Sequence, residues 1–64
     1  MELTIYTDDG DRFIFKDESA NEVAIQLEAL LQGSFTYKEK WVKVKNEETT
    51  TVIFTNHIVG FTIE

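Results

Sequence analysis

Apolar residues between Asp17 and Gly33 recur at the three- and four-residue spacing of an amphipathic helix. The apolar stripe consists of Val23, Leu27, Leu30 and Leu31, with Ala20 and Ala24 beside it. Ser19 and Glu22 have the spacing of a capping box, in which each side chain accepts a hydrogen bond from the backbone N–H of the other residue. Gly33 can adopt the left-handed conformation that ends a helix. The pattern therefore predicts one helix of about four turns.

Before this helix, apolar and polar residues alternate in two segments that flank residues 8–10 (Asp-Asp-Gly). Alternation of this kind predicts two strands joined as a hairpin. A three-residue loop with Gly10 in the left-handed conformation would bring the apolar residues of both strands to one face. These residues are Leu3, Ile5, Phe13 and Phe15. The same register predicts two pairs on the other face, Glu2 with Lys16 and Tyr6 with Arg12.

Three further strands are predicted after the helix. In the first, Val42 and Val44 alternate with Trp41, Lys43 and Lys45, and residues 46–49 supply a turn. With Asn56 and His57 as a two-residue turn, the last two strands would form a hairpin. Its apolar face, turned to the helix, would pair Phe54 with Val59 and Val52 with Phe61. We therefore predict an α+β fold of order β-β-α-β-β-β, in which a mostly antiparallel five-stranded sheet carries the helix on one face. Residues 1–64 would form a single domain.

The sheet face turned away from the helix is predicted to carry large apolar side chains. In the registers above this face includes Tyr6, Ile14, Trp41, Ile53 and Ile58. One interpretation is that these residues lie apart or under a loop, as scattered apolar residues on a surface do. The other is a docking surface centred on Trp41, because a contiguous apolar patch indicates an interface. On this second interpretation the chain is a small, non-enzymatic interaction protein that binds a protein partner or a second copy of itself.

The net charge of −6 and its distribution leave two alternative functions open. One is an acidic inhibitor that mimics nucleic acid in the basic groove of a partner protein. Its carboxylates would come from Glu2, Asp8, Asp9, Asp11, Asp17, Glu18 and Glu22. The other is a single-strand nucleic-acid binder that uses Tyr37 and Trp41 with Lys38, Lys40 and Lys43. The acidity of the rest of the chain disfavours nucleic acid as a partner.

Candidate chemistry is sparse in this sequence. His57 is the single histidine, lies in a predicted turn and has no neighbouring nucleophile or carboxylate in the sequence, so it is a poor candidate for a general base. The acidic residues around Gly10 lack the spacing of a calcium-binding loop. We therefore expect no catalytic residues, no bound metal and no cofactor. Since the chain has no cysteine and no long apolar segment, we also expect a cytoplasmic protein without a membrane span.

The segments LTIYTDDGDRFIF and TVIFTNHIVGFTIE, with WVKVK before the second, resemble small uncharacterised proteins of phages and prophages of Gram-positive bacteria. The resemblance covers about half of the chain and lies in strand patterns. It implies a non-enzymatic protein that binds a host or phage component, and it assigns no functional residues.

Overall fold

The computed structural model describes residues 1–31, 41–45 and 48–64, together with the backbone but not the side chain of Leu31. In this part of the chain the elements are β1 (Glu2–Thr7), β2 (Arg12–Lys16), α1 (Asp17–Leu31), β3 (Trp41–Lys45), β4 (Thr50–Phe54) and β5 (Ile58–Ile63), with a 3-10 turn at Thr55–His57. The α+β class and this order of elements agree with the prediction. Among the described residues, no helix has the length and apolar character that a membrane span requires.

The β1–β2 hairpin has the register that the sequence predicts. Strands β1 and β2 pair antiparallel, with Leu3 opposite Phe15 and Glu2 opposite Lys16. Gly10 has a φ of 87°, the left-handed conformation expected of the last residue in a three-residue loop. The hairpin is therefore specified locally, by alternation in both strands and by the glycine in the loop.

Helix α1 begins at Asp17, two residues before the Ser19 predicted as its cap. The N–H of Asp17 donates to the carbonyl of Met1 at 3.0 Å, which continues the β1–β2 ladder by one pair. Asp17 then takes a φ of 55°, a left-handed conformation that aspartate tolerates better than most residues, and the chain turns directly from strand into helix. Gly33, predicted to end the helix, lies outside the described residues.

The strands form two sheets, so the prediction of one five-stranded sheet is wrong. The first sheet has the order β2-β1-β5, and the second consists of β3 and β4. Instead of a two-residue turn at Asn56 and His57, the 3-10 turn separates β4 from β5 and sends β5 to pair with β1. The predicted pairs of Phe54 with Val59 and of Val52 with Phe61 therefore do not form.

The pattern of β4 and β5 explains the error. Val52, Ile53 and Phe54 are consecutive apolar residues, so alternation alone does not decide which of them face the core. In the structure Ile53 is 5% exposed, while the other two lie on the surface. In the pairing of β5 with β1, Tyr6 lies opposite Gly60 and Thr7 lies opposite Ile58, so Val59 has no partner in β1. This irregularity breaks the alternation expected along β5.

One hydrophobic core joins the helix to both sheets. Its buried residues are Leu3, Ile5, Phe15, Ala20, Val23, Leu27, Val42, Val44 and Ile53. The predicted inward face of β3 is confirmed, and so is that of α1 at its described side chains; the side chain of Leu31 lies outside the described residues. A pair of hydrogen bonds also fastens α1 to β3, because the Gln26 side-chain amide donates to the Lys43 carbonyl and accepts from the Lys43 N–H, both at 3.0 Å.

Candidate interaction surface

The outer face of the β3–β4 sheet gathers three large apolar side chains and two lysines. We call this set the Trp41 face; it consists of Trp41, Lys43, Lys45, Val52 and Phe54. Cross-strand pairing places Trp41 directly opposite Phe54 and Lys43 directly opposite Val52. The three apolar side chains are 43–52% exposed, whereas Val42, Val44 and Ile53 on the inner face are buried. The sheet therefore turns a second apolar surface to the solvent.

Trp41 and Phe54 form an aromatic pair at one end of this face. Their ring centroids lie 6.4 Å apart with perpendicular planes, an edge-to-face geometry. Such a pair contributes about 0.5–1.5 kcal/mol beyond the area that it buries. The contact joins the two exposed rings into one aromatic surface.

The structure separates the five residues predicted to form one docking surface. Tyr6 and Ile14 are exposed, but they lie on the outer face of the β2-β1-β5 sheet and not beside Trp41 in the β3–β4 sheet. Ile53 is buried and Ile58 packs against the core, so the prediction that both point away from the helix is wrong. Phe54 and Val52 take their place next to Trp41. Neither was predicted on this face, because the predicted hairpin turned both toward the helix.

The charge of the Trp41 face differs from that of the molecule as a whole. Lys43 and Lys45 are exposed on this face, while the chain carries a net charge of −6. Within the described residues Lys16 pairs with Glu2, and neither lysine of the Trp41 face has a carboxylate partner. The face therefore combines apolar side chains with local positive charge.

The loop between β1 and β2 meets the 3-10 turn at one end of the molecule. The His57 Nδ1 atom lies 3.2 Å from an Asp8 carboxylate oxygen, and the N–H of Asp8 donates to the His57 carbonyl at 2.9 Å. Because 49 positions separate Asp8 from His57 in the sequence, no local pattern predicts this contact. Both side chains are about half exposed, and the contacts tie the loop to the turn.

Asp9 organises the inside of the same loop. Its carboxylate accepts a hydrogen bond of 2.6 Å from the Thr7 hydroxyl and one of 3.2 Å from the N–H of Asp11. These bonds, the Thr7 hydroxyl first, lower the pKa of Asp9 from its usual value. In the described part of the chain no cluster of three or more acidic or histidine side chains could hold a metal ion. The polar contacts of the loop are therefore explained by its own folding.

Carboxylates predicted to mimic nucleic acid are divided between the two ends of the first hairpin. Asp8 and Asp9 lie in the loop, whereas Asp17 and Glu18 lie where β2 joins α1. The strands between them are about 15–20 Å long. Lys16, beside Glu2 at 3.9 Å, also interrupts the acidic surface. The acidic residues therefore form two groups and not one continuous track.

Comparison of the chain with protein-family models, curated proteins and solved structures finds no match.

Proposed function

We propose that this protein is a small, non-enzymatic interaction protein that binds a partner protein through the Trp41 face. The observation that carries the proposal is the clustering of Trp41, Val52 and Phe54 on one sheet face, where each remains about half exposed. Tryptophan is among the residue types most enriched at the few positions that supply most of the binding energy in protein interfaces. The buried sides of β3 and β4 already complete the core, so this face is available to a partner.

The charges on the face indicate the chemistry of the partner. Lys43 lies directly across from Val52, so any group that covers the apolar residues also approaches a positive charge. We infer that the partner presents an apolar segment flanked by aspartate or glutamate, because opposite charges at the rim favour encounter and orientation. The resemblance to phage proteins extends the proposal to a host or phage protein in the cytoplasm.

Two other occupants of the face are less well supported. In a two-fold dimer formed through this face, both copies would bring Lys43 and Lys45 to the same interface, and like charges there oppose association. A nucleic-acid strand would stack on Trp41 and contact the lysines, but it would then extend along an acidic molecule. A compact apolar and acidic protein segment needs only the face itself.

Fluorescence of Trp41 provides a direct test, since it is the single tryptophan of the chain. The probes are a nine-residue peptide in which leucine and phenylalanine alternate with glutamate, the same peptide with lysine in place of glutamate, and an oligothymidylate. We expect saturable changes in emission with the glutamate peptide, weaker binding of the lysine peptide, and no binding of the oligothymidylate. Equal affinity for both peptides, or a response to the oligothymidylate alone, would contradict the proposal.

Variants locate the binding to the Trp41 face. Val52→Ser removes an apolar contact and should lower the affinity for the glutamate peptide by roughly fivefold, about 1 kcal/mol. Lys43→Glu should reverse the preference between the two peptides. Ile14→Ser is the matched control, because Ile14 is similarly exposed on the outer face of the other sheet. If Ile14→Ser weakens binding as much as Val52→Ser, the site has been misplaced.

A further inference from the structure

Strand β5 forms one edge of the three-stranded sheet and, among the described residues, pairs with β1 only. The N–H of Glu2 donates to the Glu64 carbonyl at 3.0 Å, and the N–H of Glu64 donates back to the Glu2 carbonyl at 2.8 Å. In an antiparallel ladder the hydrogen-bonded pairs occur at alternate residues. Gly60 and Thr62 therefore direct their backbone groups to β1, whereas Phe61 and Ile63 direct theirs to the open side of the sheet.

An apolar groove lies beside this edge. A cavity of about 260 Å³ lies between the end of α1 and β5. Leu27 and Leu30 line it from the helix, and Ile58, Val59 and Phe61 line it from the strand. Outward-pointing backbone groups next to an apolar groove are the two features that bind an extended peptide by strand addition.

The other edges differ from β5. Arg12 and Lys16 place charges along β2, and charged side chains protect an edge from further pairing. The Gln26 side chain covers the edge of β3. Strand β4 is uncharged, but the cleft beside it is smaller, about 160 Å³, and is lined in part by Asp9 and His57. Strand β5 combines an uncharged edge with the larger and more apolar groove.

We propose that β5 and this groove bind an extended segment of another protein, which adds to the sheet as a fourth strand and carries basic residues at its ends. The strand itself, IVGFTI, has no charge, but both of its ends are acidic. Glu64 follows it directly, and the bond from the N–H of Asp8 to the His57 carbonyl places Asp8 at its beginning. Apolar side chains at alternate positions of the added strand would enter the groove.

A second copy of the chain fits this edge less well. Antiparallel pairing of β5 with β5 across a two-fold axis would bring Glu64 of each copy to the end at which the other carries Asp8. Each copy also has a net charge of −6. Charge complementarity therefore favours a basic segment of another protein over self-association.

Amide hydrogen exchange measured by NMR tests the proposal residue by residue. The probe is an eight-residue peptide with alternating valine and threonine between terminal lysines, and its counterpart has terminal glutamates. With the lysine-ended peptide, we expect exchange at Phe61 and Ile63 to slow by about tenfold or more, because both amides gain a hydrogen bond. Gly60 and Thr62 should change little, since their amides already bond to β1. The glutamate-ended peptide should bind more weakly.

Two pairs of variants separate edge binding from a loss of stability. Val59→Lys adds a charge to the edge and should lower the affinity for the lysine-ended peptide by about fivefold or more, whereas Ile25→Lys on the helix should leave that affinity unchanged. The two residues are matched, at 68% and 70% exposed. Ile63→Pro removes an outward N–H and should abolish binding, whereas Ile14→Pro removes the equivalent outward N–H from β2 and should preserve it.

Three results would overturn the proposal. The first is unchanged exchange at Phe61 and Ile63 with millimolar lysine-ended peptide. The second is equal affinity for the two peptides. The third is protection of the Phe61 and Ile63 amides from exchange without peptide. If this protection persists in dilute protein, the edge is already occupied within the chain. If it increases with protein concentration, and sedimentation shows a dimer, the occupant is a second copy.

Discussion

The two hydrogen bonds between Gln26 and Lys43 should help to hold the sheet that carries the Trp41 face against the rest of the molecule. Strands β3 and β4 form a separate two-stranded sheet, and such a sheet has little stability of its own in water. Core packing joins its inner face to α1, and the Gln26 amide makes two further hydrogen bonds to the backbone of Lys43. We therefore expect Gln26→Ala to loosen this sheet specifically.

The magnitude follows from those two bonds. Each net hydrogen bond contributes about 0.5–1.5 kcal/mol, and because this pair is exposed, water replaces the lost partners without a further burial penalty. Alanine also favours the helix slightly, which offsets a few tenths of a kcal/mol. The free energy of unfolding should fall by about 1–2 kcal/mol. For a domain of this size, that corresponds to a decrease in Tm of roughly 4–15 °C.

Urea denaturation and amide exchange at Lys43 check this prediction. Ile25→Ala is the control, since Ile25 is an exposed neighbour on the same helix and contributes no bond to β3. Gln26→Glu keeps the acceptor for the Lys43 N–H but loses the donor, so it should show an intermediate effect. The reasoning is refuted if Gln26→Ala unfolds with the same free energy as Ile25→Ala and exchange at Lys43 is unchanged.

Three further predictions concern the core and the loop. Leu3→Ala, at a fully buried position, should destabilise the domain by about 2–5 kcal/mol in urea denaturation. An added methyl group would have no atom within 4 Å at Gly10 or at Gly60, so only the backbone conformation distinguishes the two sites. Gly10→Ala should lower the free energy of unfolding by about 1 kcal/mol in the same assay, because Gly10 has a φ of 87°, whereas Gly60→Ala should be nearly neutral. Thr7→Val should raise the pKa of Asp9 in an NMR titration, because the hydroxyl is the main cause of its lowering. Because the pKa of Asp9 is lower in the folded protein, its carboxylate stabilises the fold at a pH above its usual pKa. This stabilisation is lost as the pH falls through the folded-state pKa, and the loss should be smaller in Thr7→Val.

Elements with unambiguous local patterns were predicted correctly. In the first hairpin, alternation, the Glu2–Lys16 pair and Gly10 all indicate the same register. In α1 the stripe that includes Val23 and Leu27 could face only a core. Agreement among independent local signals is what makes such elements predictable.

The second half of the chain contained competing signals. Three consecutive apolar residues in β4 fit a strand with either face buried, so the choice depended on tertiary packing. The pairing of β5 with β1 and the contact between Asp8 and His57 join residues about 50 to 60 positions apart, and no local pattern encodes them. Errors in the candidate site follow directly, because Phe54 and Val52 were assigned to the core and Ile53 to the surface.

Separation of β4 from β5 creates both surfaces proposed to bind partners. In a single five-stranded sheet, β4 would occupy an edge of β5, and Val52 and Phe54 would be covered by the helix. In the structure the 3-10 turn directs β5 to β1, so the open side of β5 keeps its backbone groups unpaired among the described residues. The same turn leaves Ile53, and not its neighbours, to fill the core. The two surfaces belong to different sheets. The Trp41 face would bind apolar side chains beside its lysines, and the edge of β5 would bind the backbone of a strand between two acidic ends. A partner bound at one surface therefore does not use the contacts that the other surface requires.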